Sequence, residues 1–182
     1  YEGMCVVVGH PSLAETANDW SIAHNSATVI IDGSIVGRYA KRHLPNYSVF
    51  DEFRNFVPGD KSFSFDFQGL KFSTLICEDI WHSLEAIAAR TPGLLVVPNG
   101  SPFELNKDDA RLALVQARSL EIGAPLAYVN MTGGQDDLVF DGDTIITSQT
   151  GQIIARAPQF EDGLMVIDLD VKLASSDPDL II

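Results

Sequence analysis

The chain reads as short apolar runs separated by glycine-centred turns, a pattern of strands rather than of long amphipathic helices. Cys5-Val6-Val7-Val8-Gly9 predicts a strand close to residue 1. Residues 27–31 and 34–39 flank Asp32-Gly33, whose two positions both need positive φ in a tight turn, so this stretch predicts a hairpin. Phe63, Phe65 and Phe67 alternate with Ser64 and Asp66, as a strand with one buried face does; Gly69 then turns the chain into a strand over 71–76. Residues 93–98 and 126–130 are almost wholly apolar and predict central strands covered on both faces. A second hairpin is expected over 144–147 and 152–155, a turn at Gly133-Gly134, and a last strand over 164–169.

Two stretches have helical spacing. Residues 80–89 place Leu84, Ile87 and Ala88 on one face. Residues 106–123 begin with Asn106 as N-cap and Asp108 and Asp109 in the first turn, and end at Gly123; Leu112, Val115 and Leu120 are expected to face a sheet. Strands and helices in this order predict a mixed sheet with helices on one face and a second layer on the other, an α/β layered sandwich.

Composition narrows the function classes. The chain has 182 residues, enough for one domain with a sizeable core, and a formal charge of −13 from 25 acidic and 12 basic residues. No Lys/Arg run is present, which argues against nucleic acid as a partner; the acidity reads as solubility. Two cysteines suit neither a disulfide framework nor a metal site, and fit a reducing, cytoplasmic setting. No apolar stretch approaches the roughly 18 residues of a membrane span, so no membrane role is expected. A core strand so near residue 1, with no initiator Met, and a linker-like Ser175-Ser176-Asp177-Pro178 suggest a piece of a longer protein.

The candidate chemistry centres on Cys77. It ends the apolar run Phe72-Ser73-Thr74-Leu75-Ile76 and precedes Glu78-Asp79-Ile80-Trp81, so its sulfur is expected at the end of a buried strand. A thiol attacks only as thiolate, and the adjacent carboxylates oppose ionisation, so a cation must approach. Lys41 and Arg42 stand where a strand gives way to a proline-containing loop, and either is in reach; the compact ammonium of Lys41 better suits a single thiolate or oxyanion. A dyad with His43, His24 or His10, or zinc held by Cys77, His82 and a carboxylate, has weaker support from spacing, as does burial of Cys77 as a small hydrophobe. No Gly-x-Ser-x-Gly or phosphate-loop pattern occurs.

Four segments carry a family resemblance: Tyr39-Ala40-Lys41-Arg42-His43-Leu44-Pro45-Asn46-Tyr47-Ser48-Val49-Phe50-Asp51-Glu52, Leu75-Ile76-Cys77-Glu78-Asp79-Ile80-Trp81, Asn99-Gly100-Ser101-Pro102-Phe103, and Gly133-Gly134-Gln135-Asp136 with Val139-Phe140-Asp141-Gly142. Together they resemble the nitrilase superfamily of carbon–nitrogen hydrolases and, within it, the glutaminase domains of glutamine-dependent NAD synthetases, over residues 1–170. The resemblance implies an α-β-β-α sandwich, incomplete at its N-terminus, and a Glu-Lys-Cys triad. Cys77 would attack the side-chain amide of glutamine, Lys41 would stabilise the oxyanion, and the glutamate base would lie upstream, since neither Glu2 nor Glu15 stands in its place. It also implies Tyr47 and Trp81 as walls of the substrate pocket, Glu78 as receiver of the α-amino group or as the group orienting Lys41, Ser101 as a hydrogen-bonding group, and Lys107 as partner of the α-carboxylate. Residues 171–182 would lead to a synthetase domain of the same polypeptide, where ATP and Mg would bind and the ammonia would be consumed; this segment itself would hold no cofactor, be inactive alone and form a homo-oligomer. A stand-alone hydrolase of another amide, or a catalytically dead binding module of the same fold, are the alternatives.

Overall fold

The computed structural model describes residues 2–14, 23–88, 93–105 and 107–171, with the side chains of Ala86, Lys107 and Asp108 outside that description. β1 (Cys5–Leu13), β2 (Ala23–Ile31) and β3 (Ser34–Ala40) form an antiparallel sheet in that order. The expected turn joins β2 to β3, with Asp32 at φ +50 and Gly33 at φ +81. A six-stranded sheet is built from β4 (Phe63–Phe67), β5 (Leu70–Thr74), β6 (Leu94–Asn99), β7 (Leu126–Asn130), β10 (Ile145–Thr147) and β11 (Ile153–Arg156), ordered β11-β10-β7-β6-β5-β4. Its middle strands, β5, β6 and β7, are parallel, and its flanks are antiparallel. The near-apolar runs are thus the central strands, as expected of a ladder covered on both faces. β8 (Thr132–Gln135) and β9 (Leu138–Asp141) form a separate hairpin.

α1 (Glu85–Ala88) and α2 (Lys107–Ile122) complete the order. The core joins Leu95, Val97, Leu126 and Tyr128 of the large sheet to Val115 and Ile122 of α2, to Leu84 and Ile87, and to Ala27 and Tyr39 of the small sheet. That is the mixed sheet with cover on both faces. No described helix is long and apolar enough to cross a membrane.

Several expectations are corrected. The strand predicted over 71–76 ends at Thr74, and the helix predicted over 80–89 is a 3-10 turn, Cys77–Trp81, followed by the four residues of α1. Cys77 at φ +45 and the extended His82 (φ −97, ψ 170) bracket that turn and keep an α-helix from propagating through it. The expected buried face survives, with Leu84 and Ile87 in the core; Ala89 lies outside the described residues. In α2 the sheet-facing positions run 112, 115, 119 and 122, so Ser119 is buried and Leu120, one residue off that stripe, is 60% exposed. Ser119 meets the sheet through the hydroxyl of Thr147 and also donates to Val115 O within α2. Gly133-Gly134 lie within β8, and the turn falls at the next residues, with Asp136 at φ +51. The segment expected as a last strand joins no ladder: Met165 and Ile167 line a cavity of about 600 Å³ while Val166 stays exposed, so the alternation reflects packing and not sheet pairing. Asn106 and residues 175–178, read as cap and linker, lie outside the described residues.

One close approach bears on the site. Gly59 N–H donates to Lys41 O at 2.8 Å, and a Cβ at 59 would stand 2.3 Å from Ala40 O. Gly59→Ala is therefore expected to cost about 1–3 kcal/mol by forcing the two backbones apart, read as a lower urea midpoint. An unchanged midpoint would show that the loop moves away freely.

Candidate active site

Parallel pairing carries the chain to Cys77. Beyond β5, Leu75 N–H still donates to Val96 O of β6 (3.2 Å), and Thr74 Oγ1 donates to the same carbonyl (3.0 Å). Cys77 then leaves the sheet at the carboxyl ends of the parallel strands, where α/β folds place ligands. Its φ of +45 is unusual for a residue with a Cβ and stores strain of about 1–3 kcal/mol. The turn that follows is pinned from α2: Arg118 Nε donates to Ile80 O (2.7 Å) and its Nη2 to Trp81 O (3.0 Å). Glu121 pairs with Arg118 and accepts Leu84 N–H (2.8 Å).

Lys41 follows β3. Its N–H donates to Asn25 O (2.8 Å), and its side chain is 1% exposed with Nζ 2.5 Å from Glu52 Oε1. Lys41 and Glu52 share with Cys77, Asn25, Asn99 and Gly100 a cavity of about 220 Å³; Arg42 is not among its walls. Desolvation pushes the Cys77 thiol up, the Lys41 ammonium pulls it down, the carboxylates of Glu52 and Glu78 push it up, and a hydrogen bond from the Gly100 backbone favours the thiolate; the net shift is upward. Glu52 escaped the sequence reading, although it closes the run that begins at Tyr39. A carboxylate in a loop otherwise rich in aromatic and apolar residues was its signal. Lys41 is thus paired with Glu52, correcting the option that Glu78 orients it.

Glu78 instead accepts the Tyr47 hydroxyl at 2.9 Å. Burial and that bond push the Tyr47 phenol up to about 12. Tyr47, Glu78, Trp81 and Ser101, with Phe50 and Glu104, line a second cavity of about 380 Å³ whose walls also include Cys77. Four of the five expected pocket residues therefore converge on one side of the sulfur. Lys107 opens α2, but its side chain lies outside the described residues. Ser101 is held by Asn130, which accepts its N–H (2.9 Å) and donates to its carbonyl (3.2 Å).

The histidines are engaged elsewhere: His24 with Val57 O, His10 with Thr28 Oγ1, and His43 with Asp79, its ring stacked on His82 at 3.7 Å. Burial and the neighbouring His43 lower the His82 pKa. The arrangement offers a strained thiol, a buried ammonium with a carboxylate partner, and a backbone N–H at the sulfur. These are the parts of nucleophilic attack on a carbonyl with oxyanion stabilisation.

A profile of the carbon–nitrogen hydrolase family matches residues 2–179. The chain is 40% identical over 151 residues to the glutamine-dependent NAD(+) synthetase of Acinetobacter baylyi, covering 82% of this chain and 28% of that protein. It is 42% identical over 171 residues to that of Xylella fastidiosa, covering 91% and 30%. The chain thus spans under a third of the length of these relatives. Among solved structures, glutamine-dependent NAD+ synthetase from Acinetobacter baumannii superposes with a TM-score of 0.82 at 35% identity, over 90% of this chain and 31% of that one. A mutant amidase from Nesterenkonia sp. AN1, carrying the acetamide moiety of fluoroacetamide on its active-site cysteine, superposes with a TM-score of 0.76 at 27% identity, over 88% and 59%.

Proposed function

Since the chain belongs to the carbon–nitrogen hydrolase family, with the nitrilase-superfamily fold, we propose that it hydrolyses the side-chain amide of glutamine through Cys77 and supplies ammonia to a synthetase domain of the same polypeptide. One observation carries the reading: Cys77 stands between a small cavity holding the Lys41–Glu52 pair and a larger one with aromatic and acidic walls. The larger cavity takes the body of an amino-acid amide; Glu78, beside Tyr47, and Glu104 offer negative charge to its α-ammonium.

In this mechanism the Cys77 thiolate adds to the amide carbon, and the electron pair of the carbonyl goes to its oxygen. Lys41 stabilises that oxyanion, aided by backbone N–H groups. The C–N bond then breaks, the nitrogen takes a proton and leaves as ammonia, and water cleaves the thioester to give glutamate. The family resemblance assigns the proton carrier to a glutamate that precedes this segment, and Glu52 is committed to Lys41. Glu52 keeps the ammonium aimed. Residues 1–170 form the amidohydrolase unit in this reading, and ATP, Mg and the NAD precursor bind the synthetase domain, which follows residues 171–182.

The test is glutamate release from glutamine by the full-length protein, together with labelling by a glutamine-mimicking electrophile. Label is expected on Cys77, which lines the cavities that would take the mimic, and not on Cys5, which lines neither. Lys41→Met removes an ammonium that lowers the Cys77 pKa, so the thiol ionises at higher pH and labelling at pH 7 slows by about tenfold or more. An unchanged labelling rate in Lys41→Met, or label on Cys5 alone, sinks the assignment. Turnover of simple aliphatic amides but not glutamine would point to the amidase alternative.

A further inference from the structure

Asp79 is two residues from Cys77, yet it lines neither cavity and is 2% exposed. Its carboxylate meets five donors. Oδ1 accepts from Arg42 N–H (3.2 Å), His43 N–H (2.8 Å) and His43 Nδ1 (3.0 Å); Oδ2 accepts from the Tyr39 hydroxyl (2.8 Å) and Ile76 N–H (3.1 Å). Four of these donors belong to the segment that carries Lys41, and the fifth belongs to the residue preceding Cys77. Asp79 lies 36 or more residues from the first segment in sequence, and it is where the hydrogen bonds of the two meet.

We propose that Asp79 is a positioning residue that fixes the Lys41 ammonium relative to the Cys77 sulfur. The inference rests on the roles proposed above for those two residues. An ionised carboxylate suits the place because it only accepts, with about four lone-pair positions for converging donors. An asparagine of the same shape has one acceptor and one donor, so either orientation of its amide turns an NH₂ group onto at least two of the existing donors. Glutamate would need an extra methylene in a site that is already buried. The clamp also explains the shape of the turn. Reaching back to Ile76 N–H, Asp79 completes one half of a capping box, which ties the strained Cys77 between its own neighbours.

The experiment compares wild type, Asp79→Asn and Tyr39→Phe as full-length proteins. It measures steady-state glutamine hydrolysis and the pH dependence of Cys77 alkylation by iodoacetamide, with folding checked by circular dichroism. A displacement of about 1 Å in a reacting group costs about a hundredfold. Asp79→Asn is accordingly expected to lower kcat about a hundredfold with KM within about threefold, and to move the alkylation profile to higher pH as the ammonium loses its fixed place. Tyr39→Phe removes one donor of five and is expected to lower kcat about fivefold, with a smaller shift of the same sign. A folded Asp79→Asn with wild-type kcat, or one whose only defect is KM or melting temperature with an unmoved profile, overturns the proposal. If Asp79→Asn does not fold, Tyr39→Phe decides: a shifted profile supports the clamp and a coincident one overturns it. If the wild type releases no glutamate from glutamine, the substrate assignment fails separately, and the alkylation profiles still decide the role of Asp79 by the same criterion.

Discussion

Replacing Cys77 with serine is expected to cut glutamine hydrolysis by the full-length protein at least about a thousandfold while leaving glutamine binding within a few-fold. The two side chains differ little in size, so the walls of Tyr47, Glu78 and Ser101 stay in place. What changes is ionisation. Lys41 and the Gly100 N–H favour a thiolate, against a burial that opposes it. A serine hydroxyl needs a strong base on its oxygen instead. The described histidines are engaged with Asp79, Thr28, Val57 and one another, and Glu52 is spent on Lys41. Rates come from glutamate release and affinity from calorimetric titration of the variant. Activity above a tenth of wild type would remove Cys77 from the mechanism.

Arg111→Met is expected to destabilise the fold by about 3–5 kcal/mol, the cost of leaving a buried charge without its partner. Arg111 is 1% exposed, donates to both oxygens of Asp141 (2.9 and 3.2 Å), lies 3.6 Å from Asp143 and stands over the Tyr128 ring at 5.9 Å. Burial opposes its charge, but the bonds to Asp141 together with the electrostatics of Tyr128, Asp141 and Asp143 outweigh it and raise the pKa, so the guanidinium stays ionised. Asp143 would keep Arg156, at 2.5 Å; Asp141 would keep only the Gln159 amide, at 3.1 Å, among its described side-chain partners. The measurement is urea unfolding, followed by the double variant Arg111→Met/Asp141→Leu. The double variant should recover much of the loss, since both charges then leave together. If the single variant costs under about 1 kcal/mol, water reaches Asp141 and the pair is not the anchor its burial suggests.

The hairpin at Asp32-Gly33 and the strands β6 and β7 were legible because their causes are local: positive φ at two small polar residues, and side chains with nowhere to go but a core. Leu120 failed for a narrower reason. One residue is a rotation of about 100° on a helix, and the sequence could not say that the buried stripe runs through a serine. The spacing over 80–89 is helical, but its first residues belong to the turn that starts at Cys77. Its actual shape depends on Asp79 meeting residues 39–43, which no window around position 80 contains. The site divides the same way. Lys41 and Cys77 came from motifs and the charge that a thiol requires, whereas the Glu52 partner depends on how the intervening loop closes.

Arg118 grips the turn only by main-chain carbonyls, at Ile80 and Trp81. A grip of that kind is indifferent to side-chain identity. Residues 80 and 81 can drift among homologues without loosening it, while Arg118, 38 positions beyond Ile80, cannot be exchanged for lysine without giving up one of two fixed donors. Variation at residues 80 and 81 is therefore a poor guide to whether that grip is intact, and a change at Arg118 is the better warning sign when a new sequence of this kind is read.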